Sequence, residues 1–227
     1  MATPYELIYN TGVPGRDENV WLILEEAGVQ YKDTQSLSFD KARKNVVTWL
    51  AGGGHGNPPY FTPPLFKHGD LVISQTPNIL LYLGPKLGLA GSRENDLYRV
   101  NALALTALDL LSNERVLENE EPGPGPWLLG DIFTYAELVL FQLYSVLPLP
   151  KVAPVLISLL TLDGTHYAFP KAMKQAREAG KYDKVFKLYE DVKARPNISG
   201  YLASDRRQKY QDWGVYQHYD DNDVVAE

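Results

Sequence analysis

The residues best suited to chemistry lie between Pro63 and Thr76, where a Pro-Pro step leads into a short apolar strand and a His-Gly-Asp turn. A second apolar strand follows, and Gln75 and Thr76 stand directly before Pro77, which suits the first position of a helix. The start of a helix carries free N–H groups and the positive end of the helix dipole, so it attracts carboxylates. Backbone groups beside the prolines can pair with an extended chain. The pattern therefore predicts a site for a small acidic peptide.

Alternating strand and helix signals surround this stretch and must position it. Apolar spacing and Gly/Pro punctuation predict the order βαβαββα, with strands at 5–9, 29–32, 60–66 and 71–73 and helices at 16–27, 41–50 and 77–87. The first three elements predict a right-handed βαβ unit with parallel strands. Thr76 is expected to cap the last helix with its hydroxyl. The first part of the chain is thus predicted to be a small sheet covered by helices.

Beyond residue 92 the strand signals fade and helical spacing dominates. Helices are predicted at 97–117, 135–147 and 184–195, with an acidic Pro/Gly-rich loop at 118–126. Thr134 and Glu137 form a capping box, with the hydroxyl directed to the third amide and the carboxylate back to the cap N–H. We expect three parts: an α/β domain at 1–87, a linker at 88–92 and an all-helical domain at 93–227.

Composition narrows the functional classes. The net charge of −6 and the dispersed basic residues argue against nucleic acid as a partner. The absence of cysteine excludes disulfides, thiolate nucleophiles and Cys-ligated zinc. The most apolar run, residues 152–162, contains a proline and is shorter than the about 20 residues of a membrane span. No signal-peptide pattern opens the sequence. We expect a soluble, cytoplasmic protein without a membrane partner.

Four motifs, in order along about 200 residues, carry a family resemblance. They are Leu7-Ile8-Tyr9 followed by Gly15-Arg16, Thr62-Pro63-Pro64-Leu65 with Gln75-Thr76, Leu128-Leu129-Gly130-Asp131 before the capping box, and Ala194-Arg195-Pro196-Asn197 continuing to Leu202. The chain resembles the cytosolic glutathione transferases, and its tail from Ala203 to Tyr219 resembles a microbial or fungal subgroup of the tyrosine type. The resemblance implies a thioredoxin-like domain followed by an all-α domain, glutathione as co-substrate, no metal, and a homodimer.

The same resemblance assigns residues to the glutathione site. The backbone of Thr62 would pair with the cysteinyl part of glutathione beside a cis Pro63, the alternative being a trans Pro-Pro pair at a strand edge. Gln75 and Thr76 would hold the γ-glutamyl end. Basic and indole side chains are candidates for the glycyl carboxylate, although a solvated basic face is equally compatible with them; they are Lys41, Arg43, Lys44 and Trp49.

The thiol of glutathione must lose its proton to react, and a hydroxyl donor aimed at the sulfur stabilises the anion. Tyr9, at the end of the first strand, matches the catalytic tyrosine of the tyrosine-type classes. The alternative is a core tyrosine whose hydroxyl reaches the surface. Thr11 and Asn10 are the next candidate donors, and Arg16 adds positive potential.

The thiolate would attack an electrophilic carbon of a small hydrophobic compound between the two domains. Candidate pocket residues lie on the long helix and in the tail: Leu105, Thr106, Asp109, Trp213 and Tyr216. Between the linker and the Leu-Leu-Gly-Asp segment only one long helix fits where the family has two, so we expect a helical domain missing one long helix. Natural remodelling and altered splicing both explain this departure. Alternatives to a glutathione transferase are a glutathione-dependent β-aryl etherase and a non-catalytic glutathione-transferase-like binding protein.

Overall fold

The computed structural model describes residues 4–12, 14–52, 59–109, 126–142, 162–180, 183–212, 217–218, 220 and 223. Within these ranges the element order of the first part is the predicted βαβαββα. The four strands are β1 (Tyr5–Ile8), β2 (Tyr31–Asp33), β3 (Leu65–His68) and β4 (Leu71–Ser74). They form one sheet in the order β2-β1-β3-β4, in which β1 and β2 are parallel and the other pairs antiparallel. The predicted parallel βαβ unit is therefore confirmed.

Three helices cover this sheet: α1 (Glu18–Glu26), α2 (Phe39–Leu50) and α3 (Thr76–Lys86). The side chains of α1 from Glu18 to Glu25 are all buried, because the helix packs against α3 and against helices of the second half. Gly28 follows it with φ of +64°, the left-handed conformation that ends a helix at little cost for glycine. The chain then turns back into β2.

The described residues of the second half form six helices. They are α4 (Asp96–Asp109), α5 (Tyr135–Gln142), α6 (Leu162–Ala168), α7 (Pro170–Glu178), α8 (Asp183–Lys193) and α9 (Pro196–Leu202). The sequence did not predict α6, α7 or α9. Pro196 ends α8 as expected, but it also begins α9, because proline at the first helical position needs no N–H partner. The predicted loop at 118–126 lies, except for its last residue, outside the described residues, as do the later parts of helices 97–117 and 135–147. The expectation that one long helix is missing concerns the span between residues 92 and 134, of which 110–125 lie outside the described residues, so it stays a prediction.

The capping box before α5 is present, with one difference from the prediction. The N–H and the hydroxyl of Thr134 both donate to Oε2 of Glu137 at 2.6 Å. The Thr134 oxygen accepts from the N–H of Ala136 at 3.2 Å, the second amide of the helix and not the third. Glu137 also accepts from the Leu128 N–H at 2.8 Å, so one carboxylate joins the Leu-Leu-Gly-Asp segment to the helix start. Burial raises the pKa of Glu137, and these hydrogen bonds oppose that rise.

One continuous apolar core joins the sheet half to the helical half, and Gly84 is a point of close contact between them. A methyl group added to Gly84 would lie 2.5 Å from the ring of Tyr135, which is fully buried. The linker residue Leu89 accepts the N–H of Tyr135 at 2.9 Å. The start of α5 therefore packs directly on α3. None of the helices in the described ranges combines the length and apolar character that a bilayer crossing requires.

We expect Gly84→Ala to lower the free energy of unfolding by about 1–3 kcal/mol, because overpacking forces the Tyr135 ring and its helix apart. The matched control is Gly200→Ala in α9, where an added methyl group meets nothing within 4 Å. That control should stabilise the protein by up to ~1 kcal/mol, since alanine favours a helix more than glycine does. Urea unfolding of both variants is the measurement. Equal effects of the two substitutions would contradict the packing described for α3 and α5.

Candidate functional site

Tyr9 directly follows β1, and its backbone is held from both sides by one threonine. The Tyr9 N–H donates to the Thr34 hydroxyl oxygen at 3.0 Å, and the Thr34 hydroxyl donates to the Tyr9 carbonyl at 2.5 Å. Thr34 is buried just after β2, so it extends the parallel pairing by one residue through its side chain. A hydroxyl suits this position because it donates and accepts at once. Sequence reasoning missed Thr34; a threonine placed directly after a parallel strand was the available signal.

The Tyr9 hydroxyl rests against Gly15, just before α1. A methyl group on Gly15 would lie 2.5 Å from this hydroxyl oxygen, so only glycine permits the approach. The two other candidate donors differ in exposure, since Thr11 is buried and Asn10 is exposed. The half-buried Tyr9 side chain thus leads from the sheet to the start of a helix.

The starts of α1 and α3 meet at Thr76. Its side chain is buried, and its hydroxyl donates to the backbone carbonyl of Arg16 at 3.4 Å across 60 residues of chain. The prediction that Thr76 caps its own helix was wrong. Gln75 occupies the cap position, and Thr76 is the first helical residue, so its hydroxyl turns toward α1. The side chain of Arg16 is exposed beside this contact.

Gln75 has an unusual backbone, with φ of +71° and ψ of 117°. It is the one non-glycine residue with positive φ in the described part of the chain. Such a conformation costs about 1–3 kcal/mol and occurs most often at functional sites. The exposed Gln75 side chain and the first turn of α3, which is 11 residues long, face solvent together. This geometry can receive an anionic group.

The proline pair lies just before β3, and both Thr62 and Pro63 are half-buried. The cis peptide bond joins Pro63 to Pro64, so the cis residue is Pro64 and the prediction of a cis Pro63 was wrong by one position. The Thr62 hydroxyl donates to the Pro63 carbonyl at 3.4 Å.

The candidates on α2 divide into two groups. Trp49 is half-buried and packs on a small apolar cluster of Ile8, Val46 and Leu65, which lies between α2, β1 and β3. It therefore stands near the end of β1 and the start of β3. Lys44 is exposed, as are the other basic residues of this helix, Lys41 and Arg43.

The predicted electrophile pocket is described only in part. On α4, Leu105 is exposed and Thr106 is half-buried. The side chain of Asp109 and the tail residues Trp213 and Tyr216 lie outside the described residues. These assignments remain predictions. The described residues contain no cluster of three or more His, Cys, Asp or Glu side chains able to hold a metal ion.

A buried charge network lies behind α1, on the helical side. Arg207 donates from Nε to Glu18 at 3.1 Å and pairs with Asp163, while Tyr201 donates to Glu18 at 3.0 Å. Burial raises the pKa of Glu18, and the Arg207 cation opposes this rise. Burial also opposes ionisation of Asp163, yet Arg207 and the hydroxyl of Tyr210 hold its pKa below the usual range. The network joins α1, α6, α9 and the segment after α9.

A large polar cleft of about 890 Å³ lies away from the candidate site. It is lined by the end of α1, by β2 and by α9, with Glu25, Asp33 and Arg206 among its residues. It includes none of the predicted site residues. The Glu25 carboxylate accepts from the Tyr31 hydroxyl at 2.7 Å and pairs with Arg206 at 2.5 Å. The Glu25 and Arg206 side chains of the cleft are thus paired with each other.

Comparison with known proteins agrees with this architecture. Residues 156–205 match the family model described as glutathione S-transferase, C-terminal domain. Among solved structures, NaGST-2 is 18% identical with a TM-score of 0.63 over 92% of this chain and 100% of that chain. The Pi-class glutathione S-transferase of Onchocerca volvulus is 18% identical with a TM-score of 0.59 over 87% and 91%. The glutathione S-transferase of Ascaris lumbricoides is 18% identical with a TM-score of 0.59 over 88% and 96%.

The fold is therefore that of the glutathione S-transferases, a thioredoxin-like sheet domain followed by an all-α domain, as the sequence predicted. The family model places a glutathione S-transferase C-terminal domain at residues 156–205, and the structural similarity extends that fold to the rest of the described chain.

Proposed function

We propose that this chain is a glutathione transferase that joins the glutathione thiolate to small hydrophobic electrophiles. The observation that carries the proposal is the convergence of three separate segments. The Tyr9 hydroxyl rests on Gly15, and the next residue, Arg16, accepts the hydroxyl of Thr76 at the start of α3. Gly15 and Arg16 thus connect the Tyr9 hydroxyl to the start of α3, which can receive an anion.

The γ-glutamyl end of glutathione would bind at the start of α3. Gln75 and the free N–H groups of the first turn favour its carboxylate, helped by the positive end of the helix dipole. The backbone of Thr62 and Pro63 would face the cysteinyl part. Trp49, Lys44 and Arg16 would surround the glycyl carboxylate, where the indole supplies a wall and the two cations supply charge.

The Tyr9 hydroxyl would donate a hydrogen bond to the sulfur and so favour the thiolate over the thiol. The thiolate then attacks the electrophilic carbon, a C–S bond forms, and the leaving group departs with its electron pair. If the electrophile is an activated alkene, the pair moves to the adjacent carbon and is protonated. Positioning of the two reactants supplies much of the remaining rate.

The electrophile would lie between the sheet half and the helical half, against Leu105 and Thr106 of α4. We further propose that the protein is a homodimer and that it belongs to the tyrosine type, related to the microbial subgroup. The proposed domain limits are 1–87 for the thioredoxin-like domain, 88–92 for the linker and 93–227 for the all-helical domain. The tail resemblance supports the subgroup.

Steady-state conjugation of glutathione to chlorodinitrobenzene tests the proposal, and Thr76→Val tests the glutathione site. We expect Thr76→Val to raise the KM for glutathione about five- to tenfold, the effect of about one net hydrogen bond. The matched control is Thr48→Val, because the Thr48 hydroxyl also donates to a backbone carbonyl but is exposed on α2. Saturable binding of glutathione without any turnover would instead favour a non-catalytic binding protein.

A further inference from the structure

A buried carboxyl with an unsatisfied oxygen lies at the start of α1. Asp17 is fully buried, and its Oδ1 accepts the N–H of Gly15 at 3.0 Å. Its Oδ2 is buried without a hydrogen-bond partner in the described part of the chain. A buried polar atom left unpaired costs about 1–3 kcal/mol, so a native structure that keeps one requires an explanation.

Gly15 lies between this carboxyl and the Tyr9 hydroxyl, the proposed hydrogen-bond donor to the glutathione sulfur. The same added methyl group that would lie 2.5 Å from the Tyr9 hydroxyl would lie 3.4 Å from Oδ1 of Asp17. Both oxygens therefore flank one face of Gly15. Because Oδ1 holds the Gly15 N–H, the carboxyl fixes the short backbone segment on which the Tyr9 hydroxyl rests. A shift of this segment would move the hydroxyl directly.

The surroundings of Asp17 disfavour the charged form of its carboxyl. Burial raises its pKa well above the usual range, the neighbouring Glu18 carboxylate raises it further, and the backbone amides of Gly15, Asp17 and Glu18 only partly oppose these effects. A protonated carboxyl adds no negative charge beside the site where a thiolate must form. An ionised one would oppose the thiolate, since like charges disfavour each other. The Asp17 carboxyl can thus hold the Gly15 N–H in its protonated form, without placing a negative charge beside the thiolate.

We propose that Asp17 is a positioning residue for thiol activation, acting through Gly15 to hold the Tyr9 hydroxyl in place. The inference rests on the proposed function, because it assigns Asp17 a part in the chemistry of that same site. Asp17 acts through its neighbours, so its removal should change the activation of the thiol more than the binding of glutathione.

The test compares full-length variants by the pKa of bound glutathione, followed through the ultraviolet absorbance of the thiolate, and by kcat and KM with chlorodinitrobenzene. Asp17→Ala removes the acceptor, and Asp17→Leu removes it while filling the space. For each of these variants that folds, we expect the pKa of the bound thiol to rise by about one unit and kcat to fall about tenfold, with little change in the KM for glutathione. Asp17→Asn keeps an oxygen for the Gly15 N–H and should restore values close to the wild type.

The control is Glu18→Gln, which changes the next buried carboxyl, whose partners are Tyr201 and Arg207 on the other side of the helix. It should lower thermal stability and leave the thiol pKa unchanged. An unchanged thiol pKa in a folded Asp17→Ala or Asp17→Leu, or an equal shift in Glu18→Gln, would overturn the inference alone. Wild-type protein whose bound glutathione keeps the pKa of the free thiol would overturn both the inference and the proposed function.

Discussion

Replacing Tyr9 with phenylalanine is expected to lower kcat for glutathione conjugation about 100-fold, while the affinity for glutathione changes little. The size is that of removing one preorganised donor from an anion, about 10²–10³ in kcat. The substitution leaves the ring and the hydrogen bonds from Thr34 to the backbone in place. Only the hydroxyl is lost, so the result isolates its part in forming the thiolate. Stopped-flow or steady-state kinetics at several pH values is the measurement.

Two sets of controls make the Tyr9 result specific. Tyr82→Phe removes a hydroxyl that bonds to His68 at 2.7 Å on another face of the sheet half, and it should leave kcat unchanged. Thr11→Ala and Asn10→Ala remove the competing donors and should have smaller effects than Tyr9→Phe. Full turnover in Tyr9→Phe combined with a large loss in Thr11→Ala would move the donor role to Thr11.

Replacing Arg207 with alanine is expected to lower the free energy of unfolding by about 3–5 kcal/mol, because two buried carboxyl groups lose their shared cation. The Arg207 side chain is 15% exposed, and it pairs with Glu18, which is 0% exposed, and with Asp163, which is 12% exposed. For a protein of this size each kcal/mol lowers Tm by about 2–4 °C. Thermal and urea unfolding monitored by circular dichroism measure the loss.

Arg177→Ala is the matched control for Arg207→Ala. The Arg177 side chain is 45% exposed and its partner Glu190 is 51% exposed, so its removal should cost less than about 1 kcal/mol. The pH dependence adds a second check. The lowered pKa of Asp163 contributes stability that is fully present above the carboxyl pKa of the unfolded chain, about 3.9, and that is lost as the pH falls from there through the lower pKa of the folded state. The difference between wild type and Arg207→Ala should therefore shrink in acid. Equal destabilisation by the two arginine substitutions would contradict the buried network.

Local patterns in the sequence predicted much of the fold and some of the site. The βαβαββα order follows from apolar spacing and turn residues, and the capping box of Thr134 and Glu137 follows from a four-residue motif. Such features depend on neighbours in the chain. Pro196 shows the limit, because a residue that ends one helix is equally suited to begin the next.

The features that the sequence did not predict depend on contacts between distant residues. Thr34 clamps Tyr9 across 25 residues, and Arg207 reaches Glu18 across 189. Thr76 was assigned to its own helix because a hydroxyl before a proline commonly caps, whereas the folded chain offers it the carbonyl of Arg16. No spacing rule contains these pairings, since they arise only when the sheet and the helices have packed.

The most direct test of the central claim is a calorimetric titration of glutathione into the full-length wild-type chain. We expect saturable binding at one site per chain, with a Kd of about 1 μM to 1 mM, the range of KM values that enzymes show for their substrates. Thr76→Val should weaken it and Tyr82→Phe should not. If glutathione concentrations well above 1 mM gave no saturable heat, the account would be contradicted, because every role assigned to Tyr9, Gln75 and Thr76 requires glutathione to bind.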